Sequence, residues 1–549
     1  MKFKQLKKYF SIFSILFVFS VSMAQSEVIT KQDKLRGSIT VDRIWWDLLH
    51  YTLEVKVDDE KRFISGSNVV KYKVLNNHQV LQIDLQAPLK ITKVVQNNHE
   101  LSFKTKGNAH FIDLSEEQVI GKTYKLKIFY EGIPIESVRP PWTGGFTWAK
   151  DKNGNGFIAT SNQGIGASIW WPCKDHMYDE PDEGAVMIIT PPKGLMDVSN
   201  GRLKKVVDNS DETKTYYWEV VNPINNYGIN INIGDYVHFS EKYKGLNGEL
   251  DCDYYVISYN IDKAKEQFKQ AIMTIEAFEY WFGPYPFYED GYKLVEVPYL
   301  GMEHQSSVTY GNDYKNGFRG RDLSSTGWGL KFDYIIVHES GHEWFANNIT
   351  YKDIADMWIH ESFTSYSEAL YLDYHFGTKA GNQYIIGTRK AIKNDKPIIG
   401  TYNVNREGSL DMYYKGANMI HTLRQVIDND ENFRRILIGL NKEFYHQTVT
   451  TKQIEEYITN ESGIDLSAFF DQYLRTIKIP VLEYQGFKSK IKYRYRNIVK
   501  GFSIPVKVLV NDKQRWISPT SKWKELEVGS SDVTFEIDPN FYIIISEIK

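Results

Sequence analysis

The sequence predicts a multidomain α+β protein: an N-terminal antiparallel β saddle, a helical middle domain and a small C-terminal β-sandwich. Three observations carry this. At 549 residues the chain is too long for one hydrophobic core, so roughly two to four domains are expected. Apolar residues alternate with period two up to about residue 236, then recur at helical spacing from near residue 261. After Ile479-Pro480 the period returns to two. The divisions expected are 25–238, 239–478 and 479–549, behind a leader at 1–24.

The leader comes first. Lys2, Lys4, Lys7 and Lys8 form a basic start, Tyr9 to Val21 an apolar run, and Ser22-Met23-Ala24 a small-residue cleavage site, the pattern of an export signal. The run is too short for a comfortable membrane span and no later stretch approaches one. The mature chain is expected to begin near Gln25, to have no stable membrane span, and to work in the periplasm or outside the cell. A charged fraction of 25% with net charge −3 gives no argument for a nucleic-acid or anionic-membrane partner. The two cysteines, Cys173 and Cys252, are no disulfide framework, and the sequence leaves their pairing open.

In the first β region Tyr51, Leu53, Val55 and Val57 alternate with polar neighbours, and turns such as Asn76-Asn77 and Asn97-Asn98 separate the runs. A second β segment follows from about 144 to 236. Within it Ser168–Asp175 reads as a tryptophan-rich buried strand, with Gln163 at its polar entry. The helical domain opens with Phe268, Ile272, Ile275, Phe278 and Phe282, stopped by Gly283-Pro284. Residues 291–300 read as a strand that lies at an edge or ends at Pro298, which has no N–H for a ladder. Thr450 with Gln453 reads as a capping box. Val506, Val508 and Val510, then Val533, Phe535 and Ile537, mark the last β-domain.

The chemistry is concentrated in Val337-His338-Glu339-Ser340-Gly341-His342-Glu343-Trp344-Phe345. This is H-E-x-x-H, which on a helix puts two imidazoles one turn apart on one face, two corners of a zinc site. Ile335-Ile336-Val337 and Trp344-Phe345 give the helix an apolar back. A further acid, Glu361, follows His342 after eighteen residues, and this makes a chance match improbable.

The pattern H-E-x-x-H-x18-E resembles the M1 family of zinc aminopeptidases, a branch of the gluzincins with a thermolysin-like catalytic domain. The resemblance covers nearly the whole mature chain in order. It implies one Zn2+ per chain on His338, His342 and Glu361, a fourth position left for water, and Glu339 as general base. Glu368 matches the family's acidic position behind a ligand histidine; a solvated surface glutamate is the alternative.

Leu300-Gly301-Met302-Glu303-His304 resembles the family's G-x-M-E-N, whose glutamate holds the free α-amine of a peptide. The resemblance therefore implies peptide substrates with a free N-terminus, bound by Glu303 beside Gly301 and Met302. Leu300 and His304 depart from the motif and are suspected, with Gln163, of lining the side-chain pocket. Gln163 lies nine residues before Pro172, where the family has Glu or Gln beside the amine. Tyr413-Tyr414-Lys415-Gly416 resembles Y-x-K-G, which implies Tyr413 as the oxyanion donor. Losing such a donor typically costs about 3 to 4 kcal/mol. Tyr414 competes for the role, since two adjacent tyrosines blur any spacing argument; on a helix they would point about 100° apart.

His360 and Ser362 stand where the family usually has Asn and Gly. The chain ends after the small β-domain, without the large helical domain of many members, which implies a more open entrance. Related gluzincin activities, endopeptidase or epoxide hydrolase, are the enzymatic alternatives. An inactive binding scaffold is expected to have lost a ligand or Glu339, and all four are kept.

Overall fold

The computed structural model describes residues 28–548 apart from 488 and 530–532, so the expected leader lies outside the described residues. An eight-stranded sheet runs in the order Arg202–Asp208, Lys214–Val220, Ala185–Thr190, Trp46–Asp58, Phe63–Val74, Thr123–Gly132, Lys90–Gln96, His99–Glu100. Neighbours are antiparallel except Trp46–Asp58 with Ala185–Thr190. Tyr51, Leu53, Val55 and Val57 are buried while Glu54 and Lys56 face water, the one-sided burial that period two encodes. A four-stranded sheet (Met196–Val198, Asn232–Gly234, Gly156–Ser161, Gly145–Lys150) and a three-stranded one (Val80–Asp84, Ala109–Asp113, Phe103–Lys106) complete this domain.

The segment Ser168–Asp175 is not a strand. It makes one 3₁₀ turn at Ala167–Ile169 and then a loop in which Cys173 alone pairs, bridging Asp84. Gly166 at φ 93 turns the chain before it, and Pro172 offers no N–H to a ladder. Trp170 and Trp171 are buried all the same, because an apolar run without a clear period predicts burial but not the element.

The middle domain opens with a five-stranded mixed sheet ordered Tyr236–Gly245, Gly248–Ile257, Tyr292–Glu296, Val308–Tyr310, Gly301–Met302. Its first strand crosses the expected division at 238/239. Tyr292–Glu296 has parallel neighbours on both sides, is buried throughout, and stops before Pro298. Gly301–Met302 is the edge, and it faces the site. Helices Lys269–Phe282, Tyr334–Gly341, Trp358–Phe376 and Tyr414–Ile427 pack together behind it, and Thr450 with Gln453 caps Thr451–Ser462. The last domain pairs a four-stranded sheet with a three-stranded one. Cys173 and Cys252 are free and buried. No helix of the described residues is long and apolar enough to cross a membrane.

Candidate active site

Asp333 starts the helix Tyr334–Gly341, its Oδ1 accepting the N–H groups of Ile335 and Ile336 at 3.1 and 3.4 Å. The helix does not run on through Trp344 and Phe345. It ends at Gly341 with His342 as its C-cap, and a wide turn over Glu343–Asn348 takes Phe345 out of helical geometry. That break turns the Phe345 carbonyl back to accept the Nδ1–H of His342 at 3.0 Å. The Nδ1 of His338 meets Glu368 Oε1 at 2.7 Å. With both Nδ1 atoms engaged, each imidazole presents its Nε2 lone pair to the site.

Both Nε2 atoms face Glu361, which the first turn of Trp358–Phe376 supplies. Its Oε2 lies 3.7 Å from His338 Nε2 and 3.5 Å from His342 Nε2. That oxygen is buried and receives no hydrogen bond. An orphaned carboxylate oxygen facing two lone pairs lacks a positive centre between them, and two imidazoles with one carboxylate fit Zn2+. Burial works against ionisation of Glu361, but His342 and His338, where they carry a proton in place of a metal, outweigh it and hold its carboxyl well below the usual range. Glu368, on the same helix, is buried rather than solvated and also accepts the Tyr384 hydroxyl at 2.5 Å.

Glu339 lines the open side of the site. Burial raises its carboxyl, and Glu303 adds to this against the pull of His338 and His342, leaving it at about 7.

Glu303 follows the edge strand, which is pressed onto the zinc helix: a Cβ at Gly301 would meet Ile335 Cγ2 at 2.6 Å. The Nε2–H2 of Gln163 donates to Glu303 Oε1 at 2.7 Å and to Glu361 Oε1 at 3.2 Å, so one amide spans both carboxylates across the domain boundary. The sequence reading missed three residues here. Tyr227 donates its hydroxyl to Glu303 Oε1 at 3.1 Å. Asn347 donates to the Glu303 carbonyl at 3.0 Å and is itself held by Asn225 at 3.1 Å. Glu343 accepts the Ser306 N–H at 2.9 Å and the Tyr285 hydroxyl at 3.0 Å, tying the turn after Glu303 to the end of the zinc helix. The position of Glu343 next to His342 was a signal for it; Tyr227 and Asn347 gave none.

Tyr413 and Tyr414 both line a cavity of about 470 Å³ with Gln163, Glu303, Glu339 and the three metal ligands. They face different groups. Burial raises the Tyr413 phenol most, followed by the charges of Glu361 and Glu303, whereas for Tyr414 burial is followed by Glu368 alone. The Tyr413 ring lies 6.2 Å from that of His338, nearly parallel to it. Tyr413 is therefore the tyrosine turned to the metal ligands.

Known proteins decide the family. Residues 266–473 match the model of the peptidase family M1 domain, and residues 48–227 that of the peptidase M1 N-terminal domain. The chain belongs to peptidase family M1. A probable aminopeptidase 1 of Saccharolobus solfataricus is 21% identical over 81% of this chain and 56% of its own length. The tricorn protease-interacting factor F2 of Thermoplasma volcanium is 24% identical over 63% of this chain and 44% of its own. The M1 chain thus spans about half the length of the curated relatives it matches. The solved M1 zinc metallopeptidase of Deinococcus radiodurans superposes with a TM-score of 0.68 at 18% identity, covering 81% of this chain and 96% of that one, which shows a shared fold.

The departures of this M1 chain from the family pattern have local reasons. His304 does not line the cavity; it is buried behind the edge strand, with Nδ1 3.4 Å from Thr309 Oγ1. His360 accepts the Tyr351 N–H on Nε2 at 2.9 Å and stacks on that ring. Ser362 donates to the Met412 carbonyl at 2.7 Å, one residue before Tyr413, and a Cβ at Gly416 would lie 1.9 Å from its Oγ. The Ser362–Gly416 contact therefore sets how closely the Tyr413 segment approaches Glu361. Gly416→Ala is expected to lower stability by about 1–3 kcal/mol and to reduce kcat, with Ser362→Gly restoring both. Thermal unfolding and kinetics on the single and double variants check this.

Proposed function

We propose that this chain is an exported zinc aminopeptidase that removes residues from the free N-terminus of peptides. The observation that carries the reading is the Gln163 amide spanning Glu303 and Glu361. It places a buried anion one side-chain amide from a metal ligand, about the reach of a single amino-acid residue. A buried ammonium requires such an anion, so the substrate amine binds Glu303 and the first carbonyl falls beside His338, His342 and Glu361. Tyr227 and Asn347 hold Glu303 in place for it. Support for export is the leader-like pattern of residues 1–24.

Zn2+ held by the three ligands would polarise that carbonyl and make water acidic near neutral pH. Glu339, on the open side, takes the proton from the attacking water and delivers it to the departing amine nitrogen as the C–N bond breaks. Tyr413 donates its hydroxyl to the oxyanion that forms on the former carbonyl. The products are a free amino acid and a peptide shorter by one residue.

Aminoacyl arylamides, matched N-acetylated substrates and internally quenched peptides test this on wild type and Glu303→Ala. Wild type is expected to cleave only substrates with a free amine. Glu303→Ala is expected to lose about a hundredfold in kcat/KM, as when one partner of a buried charge pair is removed. Equal cleavage of acetylated and free substrates by wild type would point to an endopeptidase.

A further inference from the structure

We propose that residues 28–44 form a strap that positions the amine end of the site, with Arg36 as the residue that acts on Gln163. This rests on the reading of Gln163 as an amine-side residue. Both family-model matches begin after this segment, at residues 48 and 266, so the strap lies outside the shared domains.

Gln163 sits in a tight turn that follows the strand Gly156–Ser161, closed by Ile165 N–H to the Gln163 carbonyl and Gly166 N–H to the Asn162 carbonyl. The turn is held largely from outside. Arg36 donates Nη2–H to the Gly164 carbonyl at 2.8 Å, and Asn405 donates to the same oxygen at 3.2 Å. Gln86 holds the next carbonyl, Ile165, at 2.8 Å. The Gly164 carbonyl, one residue from Gln163, is thus fixed by one donor from the strap and one from the catalytic domain.

The strap is fastened on both sides. Thr30 caps the helix Lys31–Gly37 in a capping box with Asp33, and Asp33 pairs with Arg406 at 3.0 Å. Arg36 lies 3.6 Å from Asp175, whose Oδ2 also accepts the Ser168 hydroxyl. Buried Arg43 donates to the carbonyls of Arg36 and Ser38 at 2.9 Å and pairs with Asp84 at 2.5 Å. Gly37 lies so close to the 404–405 backbone that a Cβ there would be 2.0 Å from Asn405 N. Asn405 and Arg406 directly precede Glu407, which lines the catalytic cavity. The strap therefore locks the Gln163 turn to the cavity rim, so that the Gln163 amide stays aligned between Glu303 and Glu361 without substrate.

The test is a double-mutant cycle on KM with an aminoacyl arylamide, with thermal midpoint and zinc content measured on each variant. Arg36→Ala is expected to raise KM about tenfold, the scale of a lost charge-assisted hydrogen bond, with a smaller change in kcat and unchanged zinc. Arg36→Lys should recover part of the loss. In a Gln163→Ala background the same substitution should change KM by less than about twofold, because a positioning residue has nothing left to position. Equal effects of Arg36→Ala in the two backgrounds, or an unchanged KM in a folded Arg36→Ala, overturn the proposal. If Arg36→Ala does not fold, Asn405→Ala, which removes the second donor to the same carbonyl, should raise KM about threefold with the same non-additivity; an unchanged KM there overturns it. Failure of the aminopeptidase reading is separate, since it appears as wild type not cleaving free-amine substrates.

Discussion

Glu339→Gln is expected to lower kcat by about a thousandfold while one Zn2+ per chain is retained, the scale on which a positioned general base acts. The two halves of this result have different causes. Retention follows from the ligand geometry: His338, His342 and Glu361 converge through Nε2, Nε2 and Oε2, and their outer atoms are held by Glu368, the Phe345 carbonyl and Gln163. None of those contacts involves Glu339. Loss of rate follows because the amide keeps the shape of the side chain yet cannot take a proton from water. Its environment suits the task. Burial and the Glu303 charge raise the carboxyl to about 7, and a dication on the three ligands would pull it back down, leaving it ionised and able to take the proton of water near neutral pH. Steady-state kinetics with metal analysis on the purified variant decides the matter. Full activity in Glu339→Gln would exclude it as the base, and loss of zinc would make its role structural.

How much of this site was legible in the sequence depended on the periodicity of the element carrying each residue. His338 and His342 are one turn apart, and Glu361 and Glu368 two turns apart, so helical spacing alone put each pair on one face. Glu303 and Gln163 were reachable only through the family pattern, because a two-residue edge strand and a turn carry no period. Tyr227, Asn225 and Asn347 stayed hidden because their bonds join segments 44 to 122 residues apart, and nothing local marks either end. The errors have the same root. Beyond Gly341 the backbone leaves helical geometry at Phe345 and Ala346, where the Phe345 ring stacks 4.5 Å from that of Phe363, a tertiary contact that periodicity does not carry. His304 is expected in the pocket because it stands at a motif position, but the strand ends at Met302 and the chain after Glu303 turns His304 inward. Period two is plain where one face of a strand is wet, as at Tyr51–Val57, and is lost in a fully buried apolar run such as Trp170-Trp171, which burial alone does not make a strand.

Glu361→Ala should abolish activity and zinc retention together. The substitution removes the one anionic ligand and leaves two neutral imidazoles, too few donors for a tetrahedral centre with one open position. The contrast with Glu368→Ala makes this specific. Of the three ligands Glu368 bonds His338 alone, at its far nitrogen, so its loss should weaken zinc affinity by roughly 10–100-fold and be reversed by added zinc. Glu361→Ala should exceed that range and resist added zinc. The rest of the site should stay folded, because His338 remains held by Glu368, His342 by the Phe345 carbonyl and Thr364, and Glu303 by Tyr227 and Gln163. Metal titration followed by assay, alongside thermal unfolding of the metal-free proteins, separates these outcomes. Recovery of Glu361→Ala at the zinc concentration that restores Glu368→Ala would mean that Glu361 supports the metal from outside its coordination shell. The orphaned Oε2 between two imidazole lone pairs argues for direct ligation.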